Sequence, residues 1–291
     1  MGWQTHTVSC FFAALVAYCV SLVTSTAGVT GAFLLLPFQV SILGLAGPAV
    51  TPTNLLFNAV AAPSGIYRYV REGRMVWPLA IVIAVGTVPG VVLGALARIY
   101  LLPDARSFKL FVGIVLLLLG ARMLVSVLAA RTSTPSASKS FVVRAARLGL
   151  RSLEYEFQGV RHGIATGKLV LLALVIGIVG GTYGVGGGAI MAPILVSMAR
   201  LPIHSTAGAT LLGTFLTSLV GIAFFAGWAG LSAEPSLMPD WWLGISLGIG
   251  GLVGMYSGAR LQRHLPARAI EGVLAVATAA LGLSYVVGYL R

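Results

Sequence analysis

The sequence predicts an all-α integral membrane protein, built as an inverted repeat of two five-segment units, each with a glycine-broken re-entrant helical hairpin. Three observations predict it. The mean hydropathy is +0.97 and only 9% of residues are charged, whereas about a quarter are charged in an ordinary soluble domain. Two stretches lying 156 residues apart repeat each other: Gly28-Val29-Thr30-Gly31 running to Pro37, and Gly184-Val185-Gly186-Gly187-Gly188 running to Pro193. The basic residues, finally, gather in a few connections, as membrane topology requires.

The elements follow in order. Apolar segments cover 8–27, 32–45, 52–70, 75–101 and 107–129 in the first half. The second half repeats the set at 168–184, 188–200, 204–231, 240–262 and 269–290. The segment after each glycine run is short, 14 and 13 residues; that makes ~20 Å of helix against a hydrocarbon core of ~30 Å. Such half-spans place broken backbone at membrane depth, which is tolerated only inside protein or beside a wet cavity. Past the prolines the register continues without a gap: Ser41 falls on Ser197, Asn54 on Thr210, Asn58 on Thr214 and Gly65 on Gly221. Trp77 and Trp241 open the fourth segments, and Gly120 pairs with Gly282 in the fifth. The division is therefore a membrane repeat at 7–130, a basic connection at 131–167 and a second repeat at 168–291. Within the connection, Thr132 to Ser136 reads as a flexible linker. Leu153, Tyr155 and Phe157 alternate with Glu154, Glu156 and Gln158 ahead of Gly159, which suits a hairpin. Arg144, Arg147, Arg151 and Arg161 also share a helical face, which suits an interfacial helix. The sequence leaves both open.

Topology follows from Lys and Arg. Arg68, Arg71 and Arg74 share one connection; Arg131, Lys139, Arg144, Arg147, Arg151, Arg161 and Lys168 fill or border the central one; Arg200 ends a half-helix; Arg260, Arg263 and Arg268 share the last. Placing these in the cytoplasm leaves Arg98, Arg106, Lys109 and Arg291 opposite. Both termini then face out, 131–167 faces the cytoplasm, and the two halves start on opposite sides of the inner membrane. The net charge of +12 belongs to this pattern and implies no nucleic-acid partner. Met1 to Val8 carries no Lys or Arg, so the N-terminal stretch does not read as a cleavable signal. Cys10 and Cys19, nine residues apart in the first segment, lie ~13 Å apart along a helix and cannot bridge each other.

Glycine runs that break hydrophobic segments at matching points of two halves are the best sequence pointer to a transporter's binding site. The substrate-binding candidates at the tips are Gly28, Thr30 and Gly31 in the first break, and Gly184, Gly186, Gly187 and Gly188 in the second. Consecutive amides there can form an anion-binding concavity at the positive end of the following half-helix. The bland alternative is close helix packing. Two polar helix faces complete the candidate set: Thr51, Asn54 and Asn58, and Thr206, Thr210 and Thr214, continued by Thr217. Repeat symmetry brings both faces to one interface, although interhelical hydrogen bonding alone accounts for such residues as well. Arg122 lies within the fifth segment, Glu271 is a turn from Arg268, and His204 beside Ser205 is the one group near the site that titrates around neutral pH. No HExxH, intramembrane carboxylate pair or redox cysteine motif is present. The sequence therefore implies no enzyme, cofactor or metal.

Gly184 to Pro193, followed by a Thr-rich helix and preceded by the equivalent unit at Gly28 to Pro37, resembles the TauE/SafE family of sulfite exporter-type membrane permeases, over essentially the whole chain. The first motif departs from the family pattern, with Thr30 and Ala32 in place of further glycine; a Thr30 hydroxyl can compensate as a donor. The resemblance implies a cell-membrane carrier of sulfite or organosulfonates. Outward movement of one negative charge gains ~2.3 kcal/mol per 100 mV, so export needs no coupling ion. The implied partners are the lipid bilayer and a small inorganic or organic anion, and a homodimer is left open. Two alternatives remain: a carrier of another small anion or a neutral solute, and a membrane scaffold that recruits a partner through the central connection.

Overall fold

The computed structural model describes residues 2–26, 29–45, 47–129, 143–149, 151–157, 159–198, 201, 203–261 and 267–290. Its first half contains helices α1 (Gly2–Thr26), α2 (Ala32–Ser41), α3 (Val50–Arg71), α4 (Trp77–Tyr100) and α5 (Ala105–Ala129). Its second half contains α6 (Thr166–Tyr183), α7 (Gly187–Met198), α8 (Ile203–Ser232), α9 (Trp241–Leu261) and α10 (Ala267–Leu290). Among the described residues, six helices are long and apolar enough to cross a membrane: α4, α5, α6, α8, α9 and α10. α3 is not one of them, because Thr51, Thr53, Asn54 and Asn58 on it are polar and fully buried. α2 and α7 have 10 and 12 residues, about 15 and 18 Å of helix, which is well short of a ~30 Å hydrocarbon core.

Helix boundaries have local causes. α4 opens with proline in its first turn, where a missing N–H costs nothing. α6 stops at Gly184, which takes the left-handed conformation with φ 84° and returns its N–H to the Gly180 carbonyl at 2.8 Å.

The helices pack in a pattern that maps onto itself when the two halves are exchanged. α1 lies beside α9 as α6 lies beside α4, and α3 meets α9 as α8 meets α4. α3 also packs on α8, and α5 on α10. The contacts repeat at residue level. Gly86, Gly90 and Gly94 sit against the backbone of α6 around Val170, Leu174 and Ile178, while Gly250, Gly254 and Gly258 sit against α1 at Ala14, Tyr18 and Leu22. Both series advance in step, so each pair of helices runs parallel. Between α3 and α8, Gly65 faces Leu211 and Gly221 faces Leu55; between α5 and α10, Gly120 faces Ala279 and Gly282 faces Leu117. These reciprocal contacts run in opposite senses, so the helices are antiparallel. Stripes of small residues let backbones approach where lipid supplies no hydrophobic drive.

The central connection settles into a sheet, so the fold is helical with one small exception to the all-α expectation. Strands β1 (Val143–Leu148), β2 (Ser152–Phe157) and β3 (Val160–Ala165) form an antiparallel meander in the order β1-β2-β3. The period-two alternation wins over the arginine face: Leu153, Tyr155 and Phe157 are buried and continuous with the main core. The register sets Arg147 opposite Glu154, and Glu156 opposite Arg161, which are favourable cross-strand neighbours. The sheet docks on one end of the bundle. The Val143 N–H donates to the Gly73 carbonyl at 3.1 Å, and the Tyr155 and Ser205 hydroxyls lie 2.9 Å apart. Residues 131–142 of the connection lie outside the described residues.

Candidate functional site

The two helix breaks meet at one side chain. The Asn54 amide, fully buried on α3, donates to the Ala32 carbonyl at the start of α2 and to the Gly184 carbonyl at the end of α6, both at 3.0 Å. Its oxygen accepts from the Gln39 amide of α2 at 3.0 Å. Four residues along the same face, Asn58 donates to the Val185 carbonyl at 2.9 Å, and its own oxygen is buried without a partner. Thr51, one turn earlier, donates to the Thr182 carbonyl at 3.3 Å. Tyr183, just before the second break, donates to the Phe33 carbonyl of α2 at 2.7 Å. α3 thus holds both breaks by their carbonyls.

The second break is pressed into α8. A Cβ on Gly188 would collide with the Thr210 carbonyl and stand 2.5 Å from the Thr214 hydroxyl, and one on Gly187 would lie 2.6 Å from Thr87. Gly186, with φ 77°, rests against Thr214. Only glycine fits this left-handed, close-packed turn. The expectation of free amides at this tip is corrected here. The N–H groups of Gly184, Val185 and Gly186 all converge on the Gly180 carbonyl at 2.8, 3.0 and 3.3 Å, and the Gly187 N–H donates to the Thr217 hydroxyl at 3.2 Å. Thr210 and Thr214 donate back to carbonyls of their own helix, Ala207 and Thr210, each at 3.0 Å, as helical threonines commonly do. Thr206 is buried on the same helix.

The first break is built differently. Gly31 caps α2 with no side-chain hydrogen bond. Thr30 is fully buried, and its hydroxyl has no partner. Gly28 lies outside the described residues, as does the side chain of His204. The structure therefore brings Thr51, Asn54, Asn58, Gly184, Gly186, Gly187, Gly188, Thr210 and Thr214 into one cluster, with Thr30 and Gly31 adjoining it through α2.

Gln39 and Tyr183 escaped the sequence reading, and so did a charged residue. Arg98, counted there as a surface charge, is fully buried near the end of α4. Its Nε donates to the Thr51 hydroxyl at 3.3 Å, and its other nitrogens donate to the Gly47 carbonyl at 3.3 Å and to the Leu102 carbonyl. The guanidinium lies 4.0 Å from the centre of the Phe108 ring, a cation–π distance. No carboxylate pairs with it among the described residues. Its place at the helix end gave no local signal of burial; only the turn at Gly47 folding over it does. Arg122, by contrast, is partly exposed on α5. Among the described residues no cluster of His, Cys, Asp or Glu is fit to hold a metal.

The profile of the family described as Sulfite exporter TauE/SafE matches residues 13–285. The chain belongs to the TauE/SafE family. Curated relatives in this group carry transporter descriptions. The chain is 25% identical over 240 residues to "Probable membrane transporter protein y4hK" of Sinorhizobium fredii, covering 82% of this chain and 83% of that one. It is 23% identical over 200 residues to "Probable membrane transporter protein YunE" of Bacillus subtilis, covering 67% and 68%. A "Probable membrane transporter protein" of Xylella fastidiosa is 22% identical over 238 residues, covering 81% and 78%. No solved structure matches the chain. The family and its relatives support a membrane transporter.

Proposed function

We propose that the protein exports small sulfur-containing anions, sulfite or organosulfonates, by alternating access around the Asn54 cluster between the two repeats. The observation that carries the proposal is the meeting of both helix breaks at one buried amide, with a buried, carboxylate-free guanidinium one hydrogen bond away at Thr51. A fixed positive charge and helix N-termini at depth favour an anion, and replacement of its water by N–H and O–H donors offsets the desolvation that otherwise excludes it. The antiparallel, reciprocal contacts of α3 with α8 and of α5 with α10 support an inverted repeat. In that arrangement the Arg68–Arg74 end and the docked sheet face the cytoplasm by the positive-inside rule. Rocking of one repeat against the other then exposes the cluster to each side in turn.

Purified protein in liposomes loaded with sulfite tests this. The expected result is efflux accelerated by an outside-positive potential and abolished in Asn54→Asp, which sets a negative charge at the junction. Absence of flux for sulfite, sulfate and simple sulfonates would refute the reading.

A further inference from the structure

The 156-residue offset that relates the two breaks also exposes a chemical difference between them. On α1, Ser21 and Thr24 face the first break: a Cβ placed on Gly31 would lie 3.0 Å from the Ser21 hydroxyl oxygen and 3.4 Å from that of Thr24. Both residues are fully buried, and neither hydroxyl has a partner among the described residues. The Thr30 hydroxyl, one residue from Gly31, is in the same state. The offset carries Ser21 and Thr24 onto Gly177 and Gly180, bare backbone that packs directly on Thr87 and on the second break itself. It also carries Thr217, which accepts the Gly187 N–H, back onto Ala61, which has no acceptor to offer the Gly31 amide. At the second break the N–H groups of Gly184 to Gly187 are thus given to the protein, and one hydroxyl beside it, that of Ser218, has no partner among the described residues. The first retains three hydroxyls near the start of α2, where the Leu34 and Leu35 N–H groups donate to the Gly31 carbonyl and those of Ala32 and Phe33 precede the first intrahelical bonds.

Three unpartnered hydroxyls in one buried place are costly unless something accepts from them. We propose that Ser21, Thr24 and Thr30, with the N-terminus of α2, form the oxyanion-binding subsite, and that the second break is its structural counterweight rather than a second site. The inference rests on the anion-carrier reading and narrows it to one repeat. An oxyanion of the sulfite or sulfonate class offers several acceptors around one centre and suits hydroxyls supplied by α1 and by the break that follows it. The binding event forms hydrogen bonds only. A small apolar cavity bounded by Ser25, Val29, Gly65, Tyr69, Leu211 and Met255 lies beside the same tip, toward the arginine-rich end of α3.

The test uses the full chain in liposomes and in detergent, with sulfite as the probe. In S21A/T24V the KM for sulfite rises at least tenfold, and sulfite no longer raises the thermal midpoint. The midpoint without sulfite stays level or rises, because unpaired buried hydroxyls have been removed; a merely structural role would lower it. Thr24→Ser recovers most of the affinity that Thr24→Val loses. Ser218→Ala, at an unpartnered hydroxyl beside the second break, transports as the parent does. An unchanged KM in S21A/T24V overturns the inference while parental flux leaves the carrier reading intact. A lowered midpoint with affinity retained overturns it equally. Parental protein that is stabilised by sulfite but moves none sinks the carrier reading alone, and protein neither stabilised nor active sinks both.

Discussion

Asn54 has no spare donor: both amide hydrogens go to carbonyls, and its oxygen accepts from one amide. Asn54→Ala removes one buried donor from each of the Ala32 and Gly184 carbonyls, at about 1 kcal/mol each. The expected outcome is a fall of several degrees in the detergent thermal midpoint together with loss of flux. Arg98 makes a second point at this scale. Its planar fork serves Thr51, Gly47 and Leu102 from fixed positions, and a lysine ammonium keeps the charge without that geometry. Arg98→Lys should therefore retain measurable anion flux at lowered stability, whereas Arg98→Met should lose flux more completely than stability. Equal flux loss in both would assign Arg98 to architecture and not to charge. Thr51, Asn54 and Asn58 were legible as a polar face from their spacing. Their partners were not, because a hydrogen-bond acceptor 130 residues away leaves no mark on local sequence.

Among the elements, the parallel pairs α4 with α6 and α1 with α9 depend on glycine. A Cβ at Gly90 would meet the Leu174 carbonyl, and one at Gly258 the Leu22 carbonyl and the Ser25 hydroxyl, so the backbones must part. Gly90→Ala and Gly258→Ala should each cost about 1–3 kcal/mol by overpacking. Gly227→Ala, with open space around it, should gain up to about 1 kcal/mol from helix propensity; thermal unfolding of the three variants decides. The sheet answers to pH. Burial raises the Tyr155 phenol to about 12, against a lowering by its bond to Ser205, and burial lowers His162, whose ring lies 5.4 Å from that of Tyr155. The docked state thus favours protonated Tyr155 and neutral His162. Docking is fully stable between about pH 6.5 and 10, the unfolded values. It weakens as pH falls below the first, and as it rises from the second toward the folded value of Tyr155. Pulsed-EPR distances between labels at exposed Arg71 and Arg161 should broaden outside that window and stay narrow within it.

For the whole molecule, orientation is the testable property. Asp240 donates its N–H to the Thr53 hydroxyl at 2.8 Å, and Arg98 binds the Gly47 carbonyl, so these groups share one end of the bundle. Gly73, the sheet and Ser205 share the other. A membrane-impermeant thiol reagent should label Glu234→Cys in intact cells and Arg161→Cys only after the membrane is opened. Labelling of both from outside would refute the inverted arrangement.

The sequence by itself determined what its own periodicities encode. It specified apolar segments that overlap the helices one for one, and two short segments after glycine runs where helices of 10 and 12 residues stand. Apolar length, glycine and proline act locally, and so they are readable. Only the tertiary structure decided which donors remain available: the Gly184 to Gly187 amides at the more glycine-rich tip are already taken, Arg98 is interior, and three unpaired hydroxyls collect beside the poorer tip against one, Ser218, beside the richer. That outcome depends on what each polar atom meets across the fold, because hydrogen bonds are filled by neighbours in space and not along the chain.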